Sequence, residues 1–109
     1  MHKSDTCFRI AIALTIEYFL RERKTNQRKI CQATNIAPSK FSKFLGGRQN
    51  LMLCETILIC KALNITIATF SEKLQTFLGN KTLIKYADTM QVGSKTIKLT
   101  RTQLLALLS

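Results

Sequence analysis

Tryptophan is absent from this 109-residue chain, histidine and proline each occur once, and glycine occurs four times. So little proline and glycine excludes a collagen-like or low-complexity chain. An apolar share of 46%, with six phenylalanines, excludes a disordered one. Acidic residues are scarce too, and the six Asp plus Glu are scattered, while His2 stands alone near the start. There is no Gly-rich phosphate loop, no H-E-x-x-H and no G-x-S-x-G, so the expectation is a protein without catalytic residues, metal or cofactor.

The four cysteines, at 7, 31, 54 and 60, include no pair at C-x-x-C spacing. All lie in apolar stretches, where a thiol behaves as a small hydrophobe. Reduced core thiols in a cytoplasmic protein are therefore expected. Long hydrophobic runs are lacking as well. Residues 8–20, FRIAIALTIEYFL, are too few to span a bilayer and include Arg9 and Glu17. No small-residue cleavage site follows, as a signal peptide would need. This segment is expected to be a buried or interface helix, with no membrane as partner.

Positive charge, by contrast, is abundant: 17 Lys plus Arg against 6 Asp plus Glu give a formal net charge of +11. Such a surplus implies a polyanionic partner, and nucleic acid is the one the remaining features favour. Between residues 21 and 48 stand Arg21, Arg23, Lys24, Arg28, Lys29, Lys40, Lys43 and Arg48, against Glu22 alone.

Periodicity predicts a mostly α chain of five helices. The first runs from about Asp5 or Thr6 to Lys24, capped by Ser4 or Asp5, with Phe8, Ile12, Ile16 and Phe19 as one apolar stripe. Ile10, Ala13, Leu14 and Leu20 widen it, so two neighbours are expected, one of them a candidate partner subunit. Asn26 caps a second helix from Gln27 to about Thr34, with Ile30, Cys31 and Thr34 inward. Asn35 suits a left-handed turn. Pro38 suits the first turn of a third helix ending near Leu45, before Gly46-Gly47. Leu53 to Leu63 reads as a fourth helix, with Leu53, Ile57, Ile59, Cys60 and Leu63 inward and Asn64 as its stop. A fifth begins near Thr66 and ends at Gly79-Asn80. Beyond it, β-branched phrases and Gly93-Ser94 predict a hairpin at roughly 89–92 and 96–99, TLIKY as a further strand, and a short last helix, QLLALL.

The third helix is two-sided. Ala37, Phe41 and Phe44 recur at i, i+4 and i+7, the spacing of a core face. Ser39, Ser42, Lys43 and Gly46 fill the opposite face. Small side chains let a helix backbone approach a groove closely. Lys can bond guanine acceptors or phosphate, and Ser either a base edge or a phosphate oxygen.

This order of features resembles the helix-turn-helix domain of the phage Cro and repressor family, also called XRE-like, over residues 16–70. Asn26-Gln27 matches that family's cap and helix start, Ile30-Cys31 its Leu-Ala pair, and Asn35-Ile36 its Gly-Val turn. Ser39 through Phe44 match the recognition helix, Gly47 the following Gly, Asn50-Leu51 the Asn-Pro, and Ala62-Leu63-Asn64-Ile65 the closing Ala-Leu-Gly-Val. Cys31, Asn35, Leu45 and Pro38 depart from the usual residues. The resemblance implies a five-helix lambda-repressor-like domain, placed over 1–78; residues 71–109 lie outside the match, and the hairpin and last helix read above make 79–109 a small C-terminal α/β appendage, a candidate dimerisation element. The resemblance also implies a sequence-specific double-stranded DNA-binding regulator of transcription, phage- or plasmid-encoded, acting as a homodimer on a two-fold operator. It assigns base contacts to Ala37, Pro38, Ser39, Ser42 and Lys43, and backbone contacts to Gln27, Arg48 and Asn50; Arg28, by its place at the start of the second helix, and Lys40 are expected at phosphates as well. XRE-like domains also occur in antitoxins, so the alternative is an interaction module whose residues 79–109 hold a protein partner.

Overall fold

A computed structural model describes residues 3–80, with five helices and, within those residues, no strand. They are α1 (Lys3–Glu22), α2 (Gln27–Thr34), α3 (Pro38–Leu45), α4 (Leu53–Leu63) and α5 (Ile67–Leu78). The mostly helical expectation therefore holds over the described residues. The expected hairpin, the TLIKY strand and the QLLALL helix lie outside them.

Both α2 and α3 have eight residues, too few to be stable alone in water. Their ends are fixed by local chemistry and their faces by packing. Asn26 caps α2, its Oδ1 accepting the Lys29 N–H at 3.0 Å. Asn35 closes α2 in the left-handed region at φ 64°. Inside that turn the buried Thr34 hydroxyl donates to the Ile30 carbonyl at 2.7 Å, and the same oxygen accepts the Ile36 N–H at 3.3 Å. Ile36 is thereby pulled into the core, 9% exposed.

Three further helices end in the paired hydrogen-bond pattern that satisfies terminal carbonyls around a left-handed residue. At the end of α1, Thr25 N–H reaches the Leu20 carbonyl and Lys24, at φ 52°, reaches Arg21. After α3, Arg48 N–H reaches Lys43 and Gly47, at φ 69°, reaches Phe44. After α4, Ile65 N–H reaches Cys60 and Asn64, at φ 59°, reaches Lys61. Gly47 also sits against α1: a Cβ there would meet Ile10 at 3.5 Å, and its carbonyl accepts the Arg9 Nε–H at 3.1 Å.

α1 is the central element, packed on α3 and α5. Its Ile12, Ile16, Phe19 and Leu20 join Ile30, Ile36, Phe41, Phe44, Ile59, Leu63 and Phe70 in the main core. Phe19 stacks on Phe70 with ring centroids 6.3 Å apart. Cys7, Ile10, Ala11 and Leu14 form a second cluster with Phe77.

Several expectations are corrected. α1 begins at Lys3, so Ser4 and Asp5 lie inside its first turn rather than ahead of it. The helix N-terminus favours an acidic residue there as well as at the cap. Phe8 is 40% exposed and leaves the stripe, whereas the rest of the apolar surface of α1 from Ile10 to Leu20 is buried. The neighbours found for α1 are α3 and α5 of the same chain. Leu53 is 71% exposed rather than inward, and Cys54 is exposed rather than a core thiol. Among the described residues, no single helix is long and apolar enough to cross a membrane.

Replacing Gly47 with alanine should destabilise the fold by about 1–2 kcal/mol, because a Cβ is strained in left-handed backbone. Chemical denaturation checks this. An unchanged midpoint would show that the α3–α4 turn relaxes without cost.

Candidate nucleic-acid interface

α3 is held from behind. Phe41 and Phe44 are both 0% exposed and meet edge to face, 6.3 Å between centroids. Burying each aromatic ring contributes roughly 1.5–3 kcal/mol. With Leu45 buried beside them, these residues fix which side of the helix faces out. That outer side carries Ser39, Ser42 and Lys43, all exposed, preceded by exposed Ala37 and Pro38; Ala37, expected on the core face with the two phenylalanines, is not on it, because it stands at the extended cap position ahead of the helix. The five residues expected at base edges therefore share one open surface at the start and front of α3.

Pro38 occupies the first position of α3, where its missing N–H has no helical partner to lose. Ala37, at the cap position, offers no side-chain hydrogen bond. Their side chains present only carbon at this end of the helix. An open groove of about 800 Å³ runs between them and α2. Arg28 and Gln32 line its other wall, and the nearly buried Cys31 and Ile36 lie between.

The cations divide into paired and unpaired sets. Arg21 lies 3.3 Å from Glu17, and Arg23 lies 3.8 Å from Glu22. Lys40 pairs with Glu55 of α4. Among the described residues Arg28, Lys29, Lys43 and Arg48 take no acidic partner, and all four are exposed. Gln27 is half-buried at the start of α2, beside Arg28, where unsatisfied helix N–H groups favour an anion. Asn50 is exposed in the α3–α4 turn. Of the residues expected at the backbone, Arg28, Arg48 and Asn50 are exposed and Gln27 is half-buried, while Lys40 is engaged by Glu55.

Glu55 was not singled out by the sequence. Its side chain is nearly buried, and one oxygen accepts the Met52 N–H at 2.9 Å, satisfying a donor at the start of α4. Its other oxygen takes Lys40. Burial by itself pushes this carboxyl up; the Lys40 ammonium and the Met52 N–H outweigh burial and hold it below the ordinary glutamate value. The only sequence signal was Glu at the third position of α4, three residues after Met52. Cys31 and Cys60 are pushed the other way by burial, which keeps these thiols protonated. Among the described residues no three His, Cys, Asp or Glu side chains gather to hold a metal.

Comparison of the chain with family models, with curated proteins and with solved structures yields no match. A functional reading therefore stands on the residues and geometry of this chain.

Two measurements probe the frame behind this surface. Phe44→Ala should cost about 3–5 kcal/mol, as for other fully buried aromatics. Because the Glu55 carboxyl is depressed on folding, it contributes stability above its unfolded value, and that stability is lost as pH falls through its lower folded value. A pH series of unfolding midpoints should therefore decline on the acid side, and Glu55→Gln should flatten that decline. An identical pH dependence in the variant would remove Glu55 from the account.

Proposed function

We propose that this protein is a sequence-specific double-stranded DNA-binding regulator of transcription, reading the major groove with α3. The observation that carries the reading is the bare polar face of Ser39, Ser42 and Lys43, set directly opposite the fully buried Phe41 and Phe44. A helix of eight residues is about 12 Å long, a length the major groove of B-form DNA accommodates. Lys43 is the side chain placed to bond guanine acceptors, and Ser39 and Ser42 can meet base edges or phosphates. The carbon surface of Ala37 and Pro38 suits a thymine methyl. The start of α2, with Arg28 exposed, and Arg48 beyond α3 flank this face and supply phosphate contacts.

This arrangement is the one expected of a Cro/repressor-type domain, and the helix order over residues 16–70 supports it. A homodimer follows from the same reading, since a two-fold operator presents two half-sites one helical turn apart. Exposed apolar side chains at the start of α4 support a partner of this kind: Met52, at the cap, and Leu53 are 61% and 71% exposed.

Lys43→Ala should weaken binding to the preferred site by roughly 1–3 kcal/mol and relax its sequence preference. Arg28→Ala should weaken all sequences alike and reduce the slope of log affinity against log salt by about 0.9. Gel-shift titrations on sites selected from a random duplex pool check both. Full affinity and selectivity retained by Lys43→Ala would rule out the docking of α3 described here.

A further inference from the structure

The pairing of Lys40 with Glu55 has a consequence for specificity. Lys40 belongs to α3, between the base-facing Ser39 and the buried Phe41, and its side chain stays 40% exposed. Position alone would make it a phosphate contact. Its ammonium is instead held by the Glu55 carboxylate, which is itself only 9% exposed. We propose that Glu55 is a specificity-determining residue that withholds Lys40 from the DNA backbone. This inference rests on the proposed reading of α3 as the groove-facing helix.

The physical argument concerns what each cation does for affinity. A Lys bound to phosphate releases counterions and strengthens binding to every sequence equally. It raises non-specific affinity without discriminating among bases. A Lys neutralised by a buried carboxylate does neither. On this face Lys43 is left to read bases while its neighbour Lys40 is removed from the electrostatic sum. The carboxylate serves both roles at once because it has two oxygens: Oε1 accepts the Met52 N–H and Oε2 binds Lys40.

Glu55→Gln separates those roles. A glutamine keeps one carbonyl oxygen for the Met52 N–H, so the start of α4 remains satisfied. Its other end is an NH2 group, which offers an ammonium no acceptor. Lys40 is then released, and its flexible stem can turn toward a phosphate.

The experiment measures affinity for a random-sequence duplex and for the selected site across a salt series. Four proteins are compared: wild type, Glu55→Gln, Lys40→Ala and the double variant. Glu55→Gln should steepen the salt slope by about 0.9, the value for one added phosphate contact. Its affinity for random duplex should rise, and its ratio of selected-site to random affinity should fall. Lys40→Ala should keep the wild-type slope. The double variant should return to the wild-type slope, which separates release of Lys40 from the general effect of one lost negative charge.

A Lys40→Ala slope shallower by about 0.9 would show that Lys40 already contacts phosphate and would overturn the inference while leaving the DNA-binding reading intact. So would a double variant as steep as Glu55→Gln. Absence of any salt-dependent duplex binding by the wild type would overturn the functional reading itself, and this inference with it. Circular dichroism of each variant confirms that a slope change comes from a folded protein.

Discussion

The one-sided anchoring of α3 is the constraint on which the rest depends. Eight residues cannot hold a helix in water by themselves, so the conformation of α3 is imposed by Phe41, Phe44 and Leu45 in the core. The same burial orients the helix. Rotation about its axis would expose two phenylalanine rings and bury a lysine, each at a cost of kilocalories. Ser39, Ser42 and Lys43 are therefore presented outward as a rigid consequence of what lies behind them. Any partner meets a surface whose shape was set before it arrived, which limits the ordering cost of binding.

Around α3 the chain turns through short connections stabilised by specific backbone chemistry. Left-handed residues at Asn35 and Gly47 bracket the helix in sequence, ending α2 before it and α3 itself. Arg9 of α1 reaches the Gly47 carbonyl, and Glu55 of α4 reaches Lys40. The outward face is thus tied down by core packing in the middle, by a hydrogen bond at its far end and by an ion pair along its flank. The ion pair differs from the other ties because it also changes how much positive charge the face presents.

Much of this frame was legible from residue order. Asn26, Asn35, Pro38, Gly47 and Asn64 each have a local reason for their place, and the bounds of α2 and α3 and the end of α4 follow from them, as those of α5 follow from Thr66 and Gly79. Phe41 and Phe44 at helical spacing announced the buried side of α3. The rest was hidden for identifiable reasons. The α4 sequence LCETILICKAL is apolar on nearly every side, so its pattern carries no phase, and nothing in it marks Leu53 as exposed. Cys54 is exposed beside it, because apolar neighbours in sequence do not fix burial. The Lys40–Glu55 pair joins residues on different helices, and no periodicity within either helix reports a contact between them. The start of α1 at Lys3 is not legible because Ser and Asp suit both the cap and the first turn.

The most direct test of the central claim is to map which amides respond when duplex DNA is added. In a titration of isotope-labelled protein with its selected site, shift changes should concentrate at the start of α2 and from Ala37 to Lys43, with the α5 amides nearly unmoved. Changes centred on α4 and α5, with α3 silent, would contradict the account.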